Sequence, residues 1–294
     1  MNIEIKKQYD FADYEKSVEF MKSRVSEIIT ESKEELIWFL NHDHIYTQGT
    51  SATKNEILKK NKIQIIKTNR GGKTTYHGPG QRIIYFIINL NKRKKDIRHF
   101  ISIIESSLME FLKMYNVDCA TYKNRVGIWV TGKNGEKFDK EEKIGAIGLR
   151  LKNWITYHGL SFNINPDMKY YKYINACGLE NYRSTSLKEL GININENRFD
   201  NWSKSFLNQY SNEFWVLSLS VSVFVLAGAL RLARYNITND KPIKGWFSGL
   251  PITGAGAGLT ATAVILLMRY QADLDADLIN LLVPIFMVVL TGCM

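Results

Sequence analysis

The chain has 294 residues, 45% of them hydrophobic and 12% aromatic, with a formal charge of +10. This is enough apolar material for one large or two ordinary domains with a packed core, which excludes disorder as the organising state. Its three cysteines, Cys119, Cys177 and Cys293, have no close spacing, which argues against a disulfide framework or a zinc site and fits a reducing, cytoplasmic setting.

No apolar signal-peptide core opens the chain, because residues 1–7 are mixed and charged. Residues 11–29 read as an amphipathic helix, with Phe11, Tyr14, Val18, Met21 and Val25 on one face. Residues 35–40 are a short apolar run that predicts a buried strand. Residues 64–68 and 82–90 predict two more, dominated by β-branched and aromatic side chains. The basic run Lys92-Arg93-Lys94-Lys95 reads as a solvated loop or as a docking surface for an acidic partner. Aromatics here alternate with aliphatics rather than with basic residues, so an acidic protein is favoured over nucleic acid. Helical spacing returns over 99–114. Strands are predicted at 125–130, 143–149 and 154–164, with a hairpin turn at Asn134-Gly135. Ser184-Thr185-Ser186 followed by residues 187–190 predicts a short capped helix ending at Gly191. Helix, several strands, helix and strands again predict an α/β (α+β) domain on a mixed sheet rather than a doubly wound nucleotide fold.

Near residue 214 the texture changes. Three stretches, 214–230, 245–268 and 278–294, contain no charged residue, and nearly all of the positive charge lies before them. Uncharged spans of about 17–25 residues match the thickness of a bilayer, and Gly and Ala are frequent in them, as in closely packed membrane helices. A charge-rich α/β domain over 1–212 followed by a hydrophobic, transmembrane-like helical tail over 213–294 is the expected organisation. Basic residues after the first span favour placing that end in the cytoplasm.

Four segments carry the chemistry. Arg70-Gly71-Gly72-Lys73-Thr74-Thr75-Tyr76-His77-Gly78-Pro79-Gly80-Gln81 has four glycines and a proline between two strands, a composition that fits a loop lining a site. It is neither a Walker loop nor a dinucleotide fingerprint. Lys143 opens the apolar segment Ile144-Gly145-Ala146-Ile147-Gly148. Alone it reads as a solvated edge charge, but in a pocket it could depress a thiol's pKa and shuttle protons. In Tyr157-His158-Gly159-Leu160-Ser161-Phe162-Asn163-Ile164 the glycine allows close approach of a substrate chain, while His158 reads as a structural histidine. Cys177 sits in Ala176-Cys177-Gly178-Leu179, where a turn would make it accessible to substrate. Taken alone it reads as an inert core thiol. Cys119 reads as structural.

Together, in this order, these segments resemble the octanoyltransferase (lipoyl(octanoyl) transferase, lipoate-protein ligase B) family. Residues 70–81 match its Arg-Gly-Gly-x-x-Thr-Tyr-His-Gly-Pro-Gly-Gln hallmark at each fixed position. His42 with Tyr46-Thr47-Gln48-Gly49, Lys143 to Gly148, Gly159 to Asn163, and Cys177-Gly178-Leu179 match its other signatures. Gly145 and Ser161 stand where the family often has alanine, and Phe86 where proline is common. The resemblance covers residues 1–212 and implies the biotin/lipoate protein ligase fold. It implies that Cys177 is the nucleophile and Lys143 its activator, with Arg70, Gly71, Gly72, Lys73, Thr74, Thr75, Tyr76, His77, Ala146, Ile147, Gly148, Gly159, Leu160 and Ser161 around the acyl group. The implied donor is octanoyl-acyl carrier protein. The implied acceptors are lysines on lipoyl domains of 2-oxo-acid dehydrogenases and on the glycine-cleavage H protein. No metal or nucleotide cofactor is implied, since a thioester is already activated. The rivals are an ATP-dependent lipoate or biotin ligase and a membrane-anchored interaction protein with a vestigial catalytic domain. In the tail, residues 229–236 and 245–251 resemble part of a CDP-diacylglycerol–serine phosphatidyltransferase whose carboxylate signature is absent, so no transferase activity is expected there.

Overall fold

The computed structural model describes residues 3–59, 61–178, 182–203 and 206–207, without the side chains of Lys54 and Cys177. All of these but Leu207 lie in a unit spanning Met1–Phe206. The uncharged spans of the tail lie outside the described residues. Among the described residues no helix is long and apolar enough to cross a membrane.

The strands are β1 (Ile3–Phe11), β2 (Glu35–Asn41), β3 (Ile45–Gln48), β4 (Gln64–Lys67), β5 (Thr74–His77), β6 (Gln81–Ile87), β7 (Val117–Ala120), β8 (Ile128–Lys133), β9 (Glu136–Lys152) and β10 (Ile155–Asn163). The helices are α1 (Tyr14–Ile29), α2 (Ile97–Lys113) and the short α3 (Glu196–Asp200). Seven strands form one sheet in the order β1-β2-β6-β10-β9-β8-β7, and three form a second in the order β4-β3-β5. The β1–β2 and β3–β4 pairs are parallel and the rest antiparallel. The mixed α/β expectation therefore holds.

Both faces of the large sheet are covered. Met21, Val25 and Ile28 of α1 pack on Leu36, Trp38, Leu40, Ile83, Tyr85 and Ile87. On the opposite face Phe86 meets Phe100 of α2, and Phe162 stacks on Phe199 of α3 with centroids 4.5 Å apart. Burial on two sides explains why β2 and β6 are buried at every position instead of alternating.

Several elements depart from the sequence expectation. The first helix begins at Tyr14 because Asp13 caps it, its side chain accepting from Lys16 N at 2.8 Å. Phe11 belongs instead to β1, an edge strand whose mostly exposed, charged face hid its period. Residues 187–190 form turns rather than a helix. Gly191, at φ +72°, still ends the segment, its N–H donating to Lys188 O at 2.9 Å. The 70–81 segment contains a strand, β5, paired with β3 from Ile45–His77 to Gln48–Thr74.

Candidate active site

Between the two sheets lies a cavity of about 320 Å³. The glycine-rich segment contributes Arg70, Gly71, Gly72, Lys73, Thr75 and His77. β9 contributes Lys143, Ala146, Ile147 and Gly148, and β10 contributes His158, Gly159, Leu160 and Ser161. Of the residues that the resemblance places around the acyl group, Thr74 and Tyr76 do not line it. They are the alternate positions of β5 and point to the other face of the small sheet, as strand geometry requires. There Tyr76 packs with Tyr46 and Ile174. The structure adds wall residues that no motif pointed to, among them Tyr14, Tyr85 and Arg125. Tyr14 and Tyr85 read in sequence only as apolar helix and strand positions.

The glycines act mainly between chain segments. A Cβ on Gly148 would come within 3.0 Å of Gly71 O, so Gly148 lets the 70–72 turn lie directly on β9. A Cβ on Gly159 would collide with Ile84 O, so this glycine lets β6 approach β10. Gly159 thus meets a neighbouring strand on its Cβ side and also lines the cavity. Beside it His158 has φ +58°, unusual for a non-glycine residue within a strand.

Arg70 is buried and fully engaged, donating to Thr47 O at 2.7 Å, Thr47 Oγ1 at 2.9 Å and Lys73 O at 2.7 Å. It braces the loop rather than floating in the cavity. Two buried histidines, His77 and His158, sense its charge, and the ring of a third, His42, is centred 6.1 Å from that of His77. Burial, reinforced by the charges of His42 and Arg70, holds His77 down to about 3. Burial, with Arg70, holds His158 to about 3. Burial also lowers His42 to about 4, against the pull of the Ala12 carbonyl. All three are neutral at pH 7 and too weakly basic for efficient proton transfer there. Each also has a structural partner: Tyr85 OH at 2.7 Å for His42, Gln81 Oε1 at 2.7 Å for His77 and Asn69 Oδ1 at 3.1 Å for His158.

Lys143 is only 7% exposed. Its Nζ donates to Val126 O at 2.9 Å and lies 5.3 Å from the centre of the Trp129 ring, its partner across the β8–β9 ladder. Its backbone is held by the segment that follows the cysteine, through Lys143 N to Arg183 O and Thr185 N to Lys143 O, both 2.9 Å. Lys143 and Ala176 line one small cleft with Ser161 and Ser184. Cys177 occupies a 3-10 turn, Ala176–Gly178, as expected from its glycine neighbour; its side chain, and Leu179, lie outside the described residues. Gly178, at φ +66°, comes so near Lys73 that a Cβ there would strike its side chain. Cys119 is a different kind of thiol. Burial, then the Asp118 carboxylate, pushes it up to about 12, which makes it inert.

The family described as the lipoyl protein ligase A/B catalytic domain matches residues 13–205. The octanoyltransferase of Wolbachia sp. subsp. Brugia malayi is 45% identical over 190 residues, covering 64% of this chain and 90% of that protein. This chain belongs to the octanoyltransferase family. The Rickettsia conorii octanoyltransferase is 40% identical over 193 residues, covering 65% of this chain and 90% of its own length. Among solved structures, lipoate-protein ligase A bound with ATP matches with a TM-score of 0.52 at 15% identity, over 72% of this chain and 85% of that one. A T. acidophilum protein described as a lipoate protein ligase, with bound lipoic acid, matches with a TM-score of 0.50 at 15% identity, over 72% and 86%. This octanoyltransferase-family chain therefore has the fold of the lipoate protein ligases. The phosphatidyltransferase resemblance of residues 229–236 and 245–251 falls outside the described residues.

Proposed function

We propose that this chain transfers an octanoyl group from a carrier-protein thioester to a lysine amine of a lipoyl domain, through an acyl-enzyme on Cys177. The observation that carries the reading is the buried Lys143 ammonium at the edge of the cavity, in one cleft with the residue that precedes Cys177. An ammonium beside a thiol favours the thiolate. The Cys177 thiolate attacks the thioester carbonyl; the carbon–sulfur bond to the carrier breaks, and Lys143 delivers a proton to the departing thiolate. The acceptor amine then attacks the new thioester, Lys143 takes its proton, and Cys177 leaves as the thiolate. The neutral histidines leave Lys143 as the group suited to both transfers. The walls from β9 and β10 suit an alkyl chain, and the basic character of the chain suits acidic carrier and lipoyl domains.

Octanoyl-acyl carrier protein and a lipoyl domain, incubated with the chain without ATP, should yield octanoylated domain. Intact mass should show an octanoyl adduct on the wild-type chain and none on Cys177→Ser. Transfer that required ATP would favour the ligase chemistry instead. The membrane contact read from residues 214–294 belongs to the same proposal and rests on the uncharged spans alone. Full-length chain recovered in the soluble fraction without detergent would remove it. We infer no phosphatidyltransferase activity for that segment.

A further inference from the structure

An acid–base lysine must be held in one place, and the structure shows what holds Lys143. The peptide group between Val126 and Gly127 faces two ways. Its carbonyl accepts from Lys143 Nζ at 2.9 Å, and its N–H donates to Glu105 Oε1 at 3.4 Å, a long bond. Because a peptide is planar with N–H and C=O on opposite edges, fixing one edge aims the other. A hydrogen bond to the N–H also polarises the carbonyl toward its own partner. We propose that Glu105 of α2 is a positioning residue for Lys143, acting through the Val126–Gly127 peptide; the proposal rests on the acid–base role given to Lys143 above.

Three further observations fit. Glu105 is half-buried on a helix whose neighbours Ile104 and Leu108 are fully buried, so its backbone is anchored. Burial pushes its carboxyl up, while the Gly127 N–H and the Lys143 charge pull the other way, so the two charges sense each other. Gly127 has φ +130°, and a Cβ there would lie 2.6 Å from Lys143 Cε and 2.5 Å from Gly145 O. Only glycine lets the lysine stem pass so close to this peptide.

The test uses the full chain with 13C-labelled lysine and two variants. Glu105→Leu removes the acceptor. Glu105→Gln keeps an oxygen that can accept from the same N–H. In Glu105→Leu the Lys143 Cε resonance should shift or broaden, and kcat should fall at least about tenfold with KM little changed, as expected for a misplaced catalytic group. Glu105→Gln should restore both. Should Glu105→Leu not fold, Glu105→Asp, which keeps the charge and loses reach, should show the same loss. A folded Glu105→Leu or Glu105→Asp with wild-type resonance and wild-type kcat overturns the proposal. If the wild-type chain transfers no octanoyl group, the function above fails. The resonance arm then decides the role of Glu105 by itself, an unmoved signal overturning it and a shift rescued by glutamine supporting it.

Discussion

Gln81 donates from Nε2 to Asn163 Oδ1 at 2.9 Å, where the first residue of β6 meets the last of β10. This bond sits in the middle of a chain that links the two halves of the site. Asn163 Nδ2 donates to Thr185 O at 2.9 Å, and Thr185 N donates to Lys143 O. In the other direction, the Gln81 amide oxygen accepts from His77 Nδ1 at 2.7 Å, which fixes the tautomer. His77 Nε2 then accepts from Thr47, whose oxygen takes Arg70. The glycine-rich loop and the lysine strand are thus registered by amides and one neutral ring.

Gln81→Leu should therefore do more than remove one bond. It strands the buried His77 N–H, at a cost of about 1–3 kcal/mol, and loosens the chain that holds Arg70. Urea unfolding should show that loss, and steady-state kinetics should show a raised KM. A variant with wild-type stability would mean that water or another group replaces the amide.

The histidines make a prediction about pH. Folded His42 titrates at about 4 and His77 and His158 at about 3, all below the ordinary value of 6.5. Below 6.5 the unfolded chain binds protons that the folded chain refuses. Their stability is therefore fully present above 6.5 and is lost as pH falls toward 4 and 3. The slope is roughly 1.4 kcal/mol per pH unit for each ring. Denaturant midpoints at pH 7.5 and 5.5 should differ accordingly. A flat profile would show that these rings ionise freely in the fold.

The sequence made the site more legible than the fold. The segments around Arg70, Lys143 and Gly159 could be found because glycine and isolated polar residues in apolar strands are conspicuous, and the structure gathers them around one cavity. What it hid was division of labour. What a glycine's missing Cβ makes room for depends on what lies across from it, and at Gly159 that is Ile84 O of a neighbouring strand. Glu105 gave no signal, since a glutamate on a helix reads as solvated until a distant peptide is found beside it. β1 was hidden by its exposed charges, and β5 by the glycines around it.

Gly148→Ala tests the contact between the loop and β9. Its φ is ordinary for any residue, and the added Cβ would meet Gly71 O at 3.0 Å, a contact that a shift of a few tenths of an ångström relieves. The variant should fold with a change in stability of no more than about 1 kcal/mol, within the range for tolerated substitutions. Transfer should nonetheless slow, because the 70–73 turn that lines the cavity must move. Unchanged kinetics would show that the position of this turn is not critical.

The strongest stability prediction concerns Arg82 and Asp200. Both side chains are fully buried, with Arg82 Nε to Asp200 Oδ1 at 2.9 Å and Nη2 to Oδ2 at 2.8 Å. The guanidinium is further held by Gln8 O at 2.7 Å and Asn41 Oδ1 at 3.1 Å, so it joins α3 to β1, β2 and β6. Such a pair adds little net stability when intact, but removing Asp200 leaves the buried guanidinium with only the partly exposed Glu196 carboxylate, 3.5 Å from its Nη1, as a charged partner in a medium that solvates it poorly. Asp200→Ala should cost about 3–5 kcal/mol, and Arg82→Met combined with Asp200→Leu should cost clearly less than that single change. If the double variant were the less stable of the two, the hydrogen bonds of Arg82 to β1 and β2, rather than its pairing with Asp200, would be what the fold depends on here.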